Sequence, residues 1–206
     1  MKVLIEAHAL EKLLGPFLKQ APFVAMKAIN DTLFQARKDQ LQKMKTSIHL
    51  GATSWTKRGL RYDKATKNFL KGTLYFHGNR PYMKTIVEGG VIKPKQGQKR
   101  LVAPVQGNIR LTKYGNIGKG RVRSLANKPN YFLGTPGGSK DESKLGLYKI
   151  KGRGKNKKLE RIVYTNLTNR PQKPTYRGPE FAQTFIQKRL QRNIIRAARR
   201  AIATAR

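Results

Sequence analysis

The apolar positions of this chain form two long helical patterns that flank a middle made of short β-rich runs. From Ala21 to about Met44, the residues Ala25, Ala28, Ile29, Thr32, Leu33 and Ala36 recur at spacings of three and four, which sets them on one helix face. Pro22 suits the first turn, where its missing N–H has no helical partner to lose. The repeated alanines let a neighbouring element approach closely. A second helix is expected from near Pro179 to the end of the chain. At about 100° per residue, Lys188, Arg189, Arg192, Arg196, Arg199 and Arg200 share a sector of about 120°, opposite Ile186, Leu190, Ile194, Ala197 and Ala201.

Between the helices lie Gly72–His77, Lys84–Val87 with Val91–Ile92 across Gly89-Gly90, Arg100–Val105 and Ile109–Lys113. They are short, rich in β-formers and broken by glycine, with no helical pattern between them, which predicts antiparallel rather than βαβ pairing. Leu145–Lys151 and Leu159–Thr165 read as a hairpin. Its tip, KGRGKNKK, holds Lys151, Arg153, Lys155, Lys157 and Lys158, too many cations to bury. Segments 47–61 and 134–144 read as extended loops, and Arg170–Pro179 as a proline-rich linker. The expected fold is α+β: a long N-terminal helix, a central and mostly antiparallel sheet with long basic loops, and a basic amphipathic C-terminal helix. One domain over 1–170 is expected, followed by a linker at 171–179 and a helix at 180–206 packed back on it. In that packing Ala25, Ala28, Ile29 and Leu33 from the first helix, and Ile186, Leu190 and Ile194 from the last, face the core.

Charge changes this picture most. The 206 residues hold 45 Lys and Arg against 10 Asp and Glu, a formal charge of +35 and a pI near 11.1. Like charges at that density repel one another within the fold, and a partner of opposite sign relieves the repulsion. Nucleic acid, an acidic protein surface and an anionic membrane are the three classes that qualify. The hydrophobic fraction of 38% lies below the usual range of about 45–50%, which counts glycine, so part of the chain is expected to depend on external contacts. There is no cysteine, which excludes disulfides and thiolate metal sites. No run of about 18 apolar residues occurs, and Glu6 and Glu11 interrupt the opening stretch, so neither a membrane span nor a secretory signal is expected.

Motifs of catalysis are missing. Gly118-Lys119-Gly120 lacks the earlier glycine and the following Ser or Thr of a phosphate loop. His8, His49 and His77 are isolated in sequence, and the carboxylates are scattered apart from Asp141-Glu142 in a loop. No cofactor or metal is expected, and the protein reads as a binding component rather than an enzyme. The aromatics Tyr62, Phe69, Tyr75, Phe76, Tyr82, Tyr114, Tyr131 and Phe132 are spread thinly, and core packing is the expected role for most of them. The cations of the last helix and of the hairpin tip are the expected contacts to a polyanion or an acidic neighbour. The helix stripe has no acid among its six positives and so forgoes the opposite-charge pairs of a solvated face.

The stretch AMKAINDTLFQAR at 25–37 resembles the alanine-rich opening of the minor tail protein Z, or tail-completion, family of tailed bacteriophages. YMKTIVEGGVIKPK at 82–95, KRLVAPV at 99–105, IRLTKYGNI at 109–117 and the closing AARRAIATAR are similar to a recurrent set of phage head–tail virion proteins. The resemblance implies a structural virion protein of the neck or proximal tail that completes the tail or joins it to the head. It implies connector, tail-terminator or tube proteins as partners, several copies of the chain in a ring, and double-stranded genome DNA within reach, with no membrane contact. The other class that fits the charge and the basic loops is a ribosome-associated or other RNA-binding protein.

Overall fold

The computed structural model describes residues 20–78, 80–94 and 97–204 together with the backbone of 2–6, and its class is α+β. Two compact units make up the chain: residues 1–89 with 173–206, and residues 90–172 inserted between them.

The first unit is organised by two 27-residue helices, α1 (Ala21–Ser47) and α5 (Gly178–Thr204). They run antiparallel, because Lys43 meets Phe181 and Gln40 meets Ala182, whereas Gln35 and Thr32 both meet Asn193. Small residues line the contact. Ala25, Ala28 and Ala36 on α1 and Ala182, Ala197 and Ala201 on α5 are buried, and Ile29 and Leu33 are buried with them. Ile186 is buried too, while Leu190 and Ile194 are half-buried against the same cluster. Polar groups inside this interface are satisfied. Asn193 donates to the Thr32 hydroxyl at 2.9 Å, and that hydroxyl donates to the Ala28 carbonyl at 2.7 Å. Gln40, with its amide oriented to satisfy both ends, donates to the Tyr176 hydroxyl and to the Gly178 carbonyl at 3.2 Å. It also accepts from the Ala182 N–H at 3.1 Å, so one buried side chain bonds two backbone groups at the start of α5.

α1 also covers an antiparallel sheet of β1 (Lys2–Glu6), β3 (Lys71–Phe76) and β2 (Leu60–Asp63), with β3 in the centre. Gly72 permits the close approach. A Cβ there would lie 2.3 Å from Leu33 Cδ1 and 2.8 Å from Ile29 Cγ2. Between α1 and β2 the expected irregular connection is instead the short helix α2 (Ser54–Gly59), capped by the Thr53 hydroxyl, which accepts from the Thr56 N–H at 3.1 Å.

A second difference is Lys84–Val87, expected as a strand and found inside α3 (Tyr82–Glu88). Its β-branched residues favour a strand locally, but helical spacing places Met83 in the core with Ile86 and Val87 packed against it, and tertiary burial outweighs local preference. Gly89, at φ 78°, ends the helix.

The inserted unit begins and ends on one antiparallel pair, β4 (Gly90–Ile92) with β9 (Arg170–Gln172). The start of the expected linker is thus a strand, and the single domain expected over 1–170 is divided. Its main sheet has the order β5-β8-β7-β6, from β5 (Leu101–Pro104), β8 (Lys158–Leu167), β7 (Gly146–Lys151) and β6 (Tyr131–Gly134), all antiparallel. The β7–β8 hairpin therefore stands where the two strand candidates around the KGRGKNKK tip placed it. Ile109–Lys113, expected as a strand, contributes only the isolated bridge Leu111–Ile117 and folds with α4 (Arg121–Ala126) over one sheet face. The small core there is Ile109, Leu125, Leu147, Ile162 and Val163. Ile162 is an extra residue in its strand, since Leu147 pairs with Val163 and Tyr148 with Arg161. The bulge buries two consecutive β8 side chains and turns Arg161 to the other face.

Two consequences can be measured. Gly72→Ala should lower stability by about 1–3 kcal/mol through overpacking against Leu33 and Ile29, read from denaturant unfolding. Burial, with a contribution from Asp39, pushes the Tyr176 phenol far above its ordinary value of 10.0. The folded state therefore keeps that proton where the unfolded chain has lost it, and the stabilisation is complete below about pH 10 and lost as pH rises beyond it, at about 1.4 kcal/mol per pH unit. The stability advantage of the wild type over Tyr176→Phe should accordingly be constant up to about pH 10 and shrink above it.

Candidate polyanion-binding surfaces

α5 carries the first surface. Glu180 in its first turn suits the positive end of the helix dipole, and no acid follows it as far as Thr204. With Ala182, Ile186, Asn193, Ala197 and Ala201 buried, the helix rotation fixes Lys188, Arg189, Arg192, Arg196, Arg199 and Arg200 in solvent, and all six are exposed. At 1.5 Å per residue, Lys188 to Arg200 spans about 18 Å. Among the described residues none of the six forms an ion pair with a carboxylate. The Arg189 guanidinium lies over the Phe185 ring at 5.6 Å.

Several of the described carboxylates are engaged elsewhere. Asp31 pairs with Lys27 at 3.2 Å, Glu142 with Arg100 at 2.6 Å and Glu160 with Lys151 at 2.9 Å. Asp63 accepts from the Tyr75 hydroxyl at 3.0 Å.

The second surface is the tip of the β7–β8 hairpin, in the inserted unit. The chain turns there through a 3-10 segment at Gly154–Asn156, with Gly152 at φ 84° and Gly154 at φ 57°, a region that glycine occupies without strain. Arg153, Lys157 and Lys158 are exposed. Lys151 is exposed as well but engaged with Glu160, and the side chain of Lys155 lies outside the described residues. The whole unit holds 20 Lys and Arg against 3 Asp and Glu, so its field is positive well beyond the tip.

A third arrangement was not visible in the sequence. On the sheet face opposite the small core, Arg161 lies over Tyr148 at 5.2 Å and over Tyr164 at 4.9 Å, and its Nε donates to the Tyr148 hydroxyl at 2.7 Å. Phe132 packs beside Tyr148 with ring centroids 6.4 Å apart. Of these residues only Phe132 is among the aromatics named from the sequence, where core packing is the expected role of most of them. Grouping the four residues requires the strand register and the bulge at Ile162. In the other unit, Arg80 is buried with its guanidinium 4.3 Å over the Trp55 ring, and Tyr82 stacks on Trp55 at 5.5 Å. There Tyr82 also bonds the Thr56 hydroxyl at 2.8 Å, and burial raises its phenol above the ordinary value. Gly59 makes room for Arg80, since a Cβ there would sit 2.0 Å from its Cδ. These contacts tie α2 to α3.

Among the described residues, no three His, Asp or Glu side chains stand close enough to share a metal ion. No described helix is long and apolar enough to cross a membrane. His49 is exposed, His77 is half-buried, and His8 lies outside the described residues.

A structural stripe and a binding stripe respond oppositely to charge reversal. Arg192→Glu puts a carboxylate one turn from Lys188 and one turn from Arg196, so stability should hold or rise by about 0.2–0.5 kcal/mol per new pair. The same variant should elute from a heparin column at lower salt than the wild type. A fall in stability of more than about 1 kcal/mol would instead give Arg192 a structural role. Comparison of this chain with protein-family models, with curated proteins and with solved structures finds no match.

Proposed function

We propose that this protein is a non-catalytic structural component of a tailed-bacteriophage virion, placed at the neck or proximal tail, where it completes the tail or joins it to the head. The observation that carries the reading is α5: one side is locked along α1, and the other presents six exposed cations with no described carboxylate partner. A helix fixed in rotation by its buried side is a rigid strip of positive charge. It suits docking on an acidic surface of connector, tail-terminator or tube subunits, with genome DNA within reach of the same charges. The residues carrying the contact are Arg192, Arg196 and Arg199, flanked by Lys188, Arg189 and Arg200. The likeness of 25–37, 82–95, 99–105 and 109–117 to phage head–tail proteins supports the virion setting, and several copies in a closed ring are the assembly that such a site requires.

A second reading, a ribosome-associated or other RNA-binding protein, is favoured by one feature, the excess of 20 cations over 3 acids in the inserted unit. Size-exclusion chromatography with light scattering separates the two. The protein is nuclease-treated at high salt and then returned to moderate salt with and without RNA or duplex DNA. The virion reading predicts a defined oligomer without nucleic acid. A monomer that shifts only when RNA is added, with affinity falling steeply as salt rises, would overturn it.

A further inference from the structure

The inserted unit has two sheet faces with different contents. One holds the small core under α4 and the 109–117 segment. On the other, strand pairing places Phe132, Tyr148 and Arg161 in one cross-strand row, and Gly134, Gly146 and Tyr164 in the next. The glycines matter because the neighbouring side chains fold over them. A Cβ at Gly134 would lie 2.9 Å from Cζ of the Phe132 ring, and one at Gly146 would lie 2.6 Å from the Val163 carbonyl oxygen and 3.3 Å from the Arg161 Nε. The outcome is a surface of rings and a guanidinium group, with the Phe132 ring tilted 38° from that of Tyr148.

Burial divides this surface into a floor and a top. Tyr148 is buried, held by Arg161 and by its own hydroxyl donating to the Lys144 carbonyl. Phe132 and Tyr164 are each 37% exposed, and Leu159 further along β8 is 44% exposed. Two aromatic side chains of this face are thus partly open to solvent rather than closed over by core packing. At about 3.3 Å per residue, Arg161 is about 10 Å along β8 from Lys158 and the cationic tip.

We propose that this face of the inserted unit binds single-stranded nucleic acid. Bases stack on Phe132 and Tyr164, Arg161 adds a guanidinium plane and a charge at their edge, and Arg153, Lys157 and Lys158 follow the phosphate backbone beyond them. Charge complementarity selects the occupant, since a unit with 20 cations and 3 acids repels basic partners and attracts a polyanion. The exposed rings select the form, because base faces are open in a single strand and closed by stacking in a duplex. The α5 stripe lies in the other unit and is not part of this site, which stands or falls apart from the virion reading.

The test uses the full chain and two labelled DNA probes of the same mixed sequence, one single-stranded and one duplex, titrated by fluorescence anisotropy over a series of salt concentrations. Tyr164→Ala and Phe132→Ala should each weaken single-strand binding about 5- to 150-fold, leaving duplex binding and the salt dependence unchanged. Tyr164→Phe should bind as the wild type does, since it keeps the π face. Tyr164→Leu, which keeps an apolar body and guards against loss of folding, should lose affinity as the alanine variant does. Arg153→Ala with Lys157→Ala should flatten the salt dependence on the single strand by about 0.7 in logarithmic slope per cation removed. The proposal is overturned if folded Tyr164→Leu and Phe132→Ala bind the single strand as tightly as the wild type. It is equally overturned if they lose single-strand and duplex binding in parallel, which would mark phosphate tracking without stacking.

Discussion

The first unit depends on the antiparallel contact between α1 and α5. Its alanines bring the two backbones close, and close backbones leave little room for water, so every polar group in the seam must find a partner within it. Thr32, Asn193, Gln40 and Tyr176 do so, and they also fix the register of one helix on the other. Sliding α5 by one turn would separate Asn193 from Thr32 and leave the first turn of α5 without Gln40. Register and rotation are thereby set together, and the outward direction of six cations is a consequence of what is buried on the opposite side.

Self-repulsion is the second constraint. With 45 basic and 10 acidic residues, the chain cannot neutralise itself, and Asp31, Glu142 and Glu160 are each paired with a single cation. The Arg100–Glu142 pair ties the 134–144 segment to the residue before β5, and within the segment the Asp141 side chain accepts from the Ser143 N–H at 2.9 Å. Hydrogen bonding from Ser143 also keeps the Asp141 carboxyl below its usual range. Many of the other cations are exposed, and two groups of them, the α5 face and the β7–β8 tip, fall in different units.

Dividing the chain into two units gives each surface its own support. The stripe rests on a helix pair and a three-stranded sheet, whereas the tip and the aromatic face rest on a four-stranded sheet with a core of five buried residues. A unit with so small a core and so large a positive excess has little internal stabilisation to spare, and the pair β4–β9 closes its two chain ends into one short ladder.

By itself the sequence determined the elements whose period is long or whose punctuation is strong. The three-and-four spacing of Ala25, Ala28, Ile29 and Leu33, the segregation of cations on α5 and the glycine-rich tip between two β-rich runs are local signals, and each needs only neighbours in the chain. Tertiary structure decided whatever depends on residues distant in sequence. Thr85, Ile86 and Val87 became helix because Met83 found the core of the first unit, and the domain boundary fell at Gly90 because β4 pairs with a strand some 80 residues later. Asn193 reads as a polar residue on an amphipathic helix until Thr32 meets it across the seam. The row of Phe132, Tyr148 and Arg161 likewise exists only through strand register and through one extra residue at Ile162, since a shift of one position sends a β side chain to the opposite face.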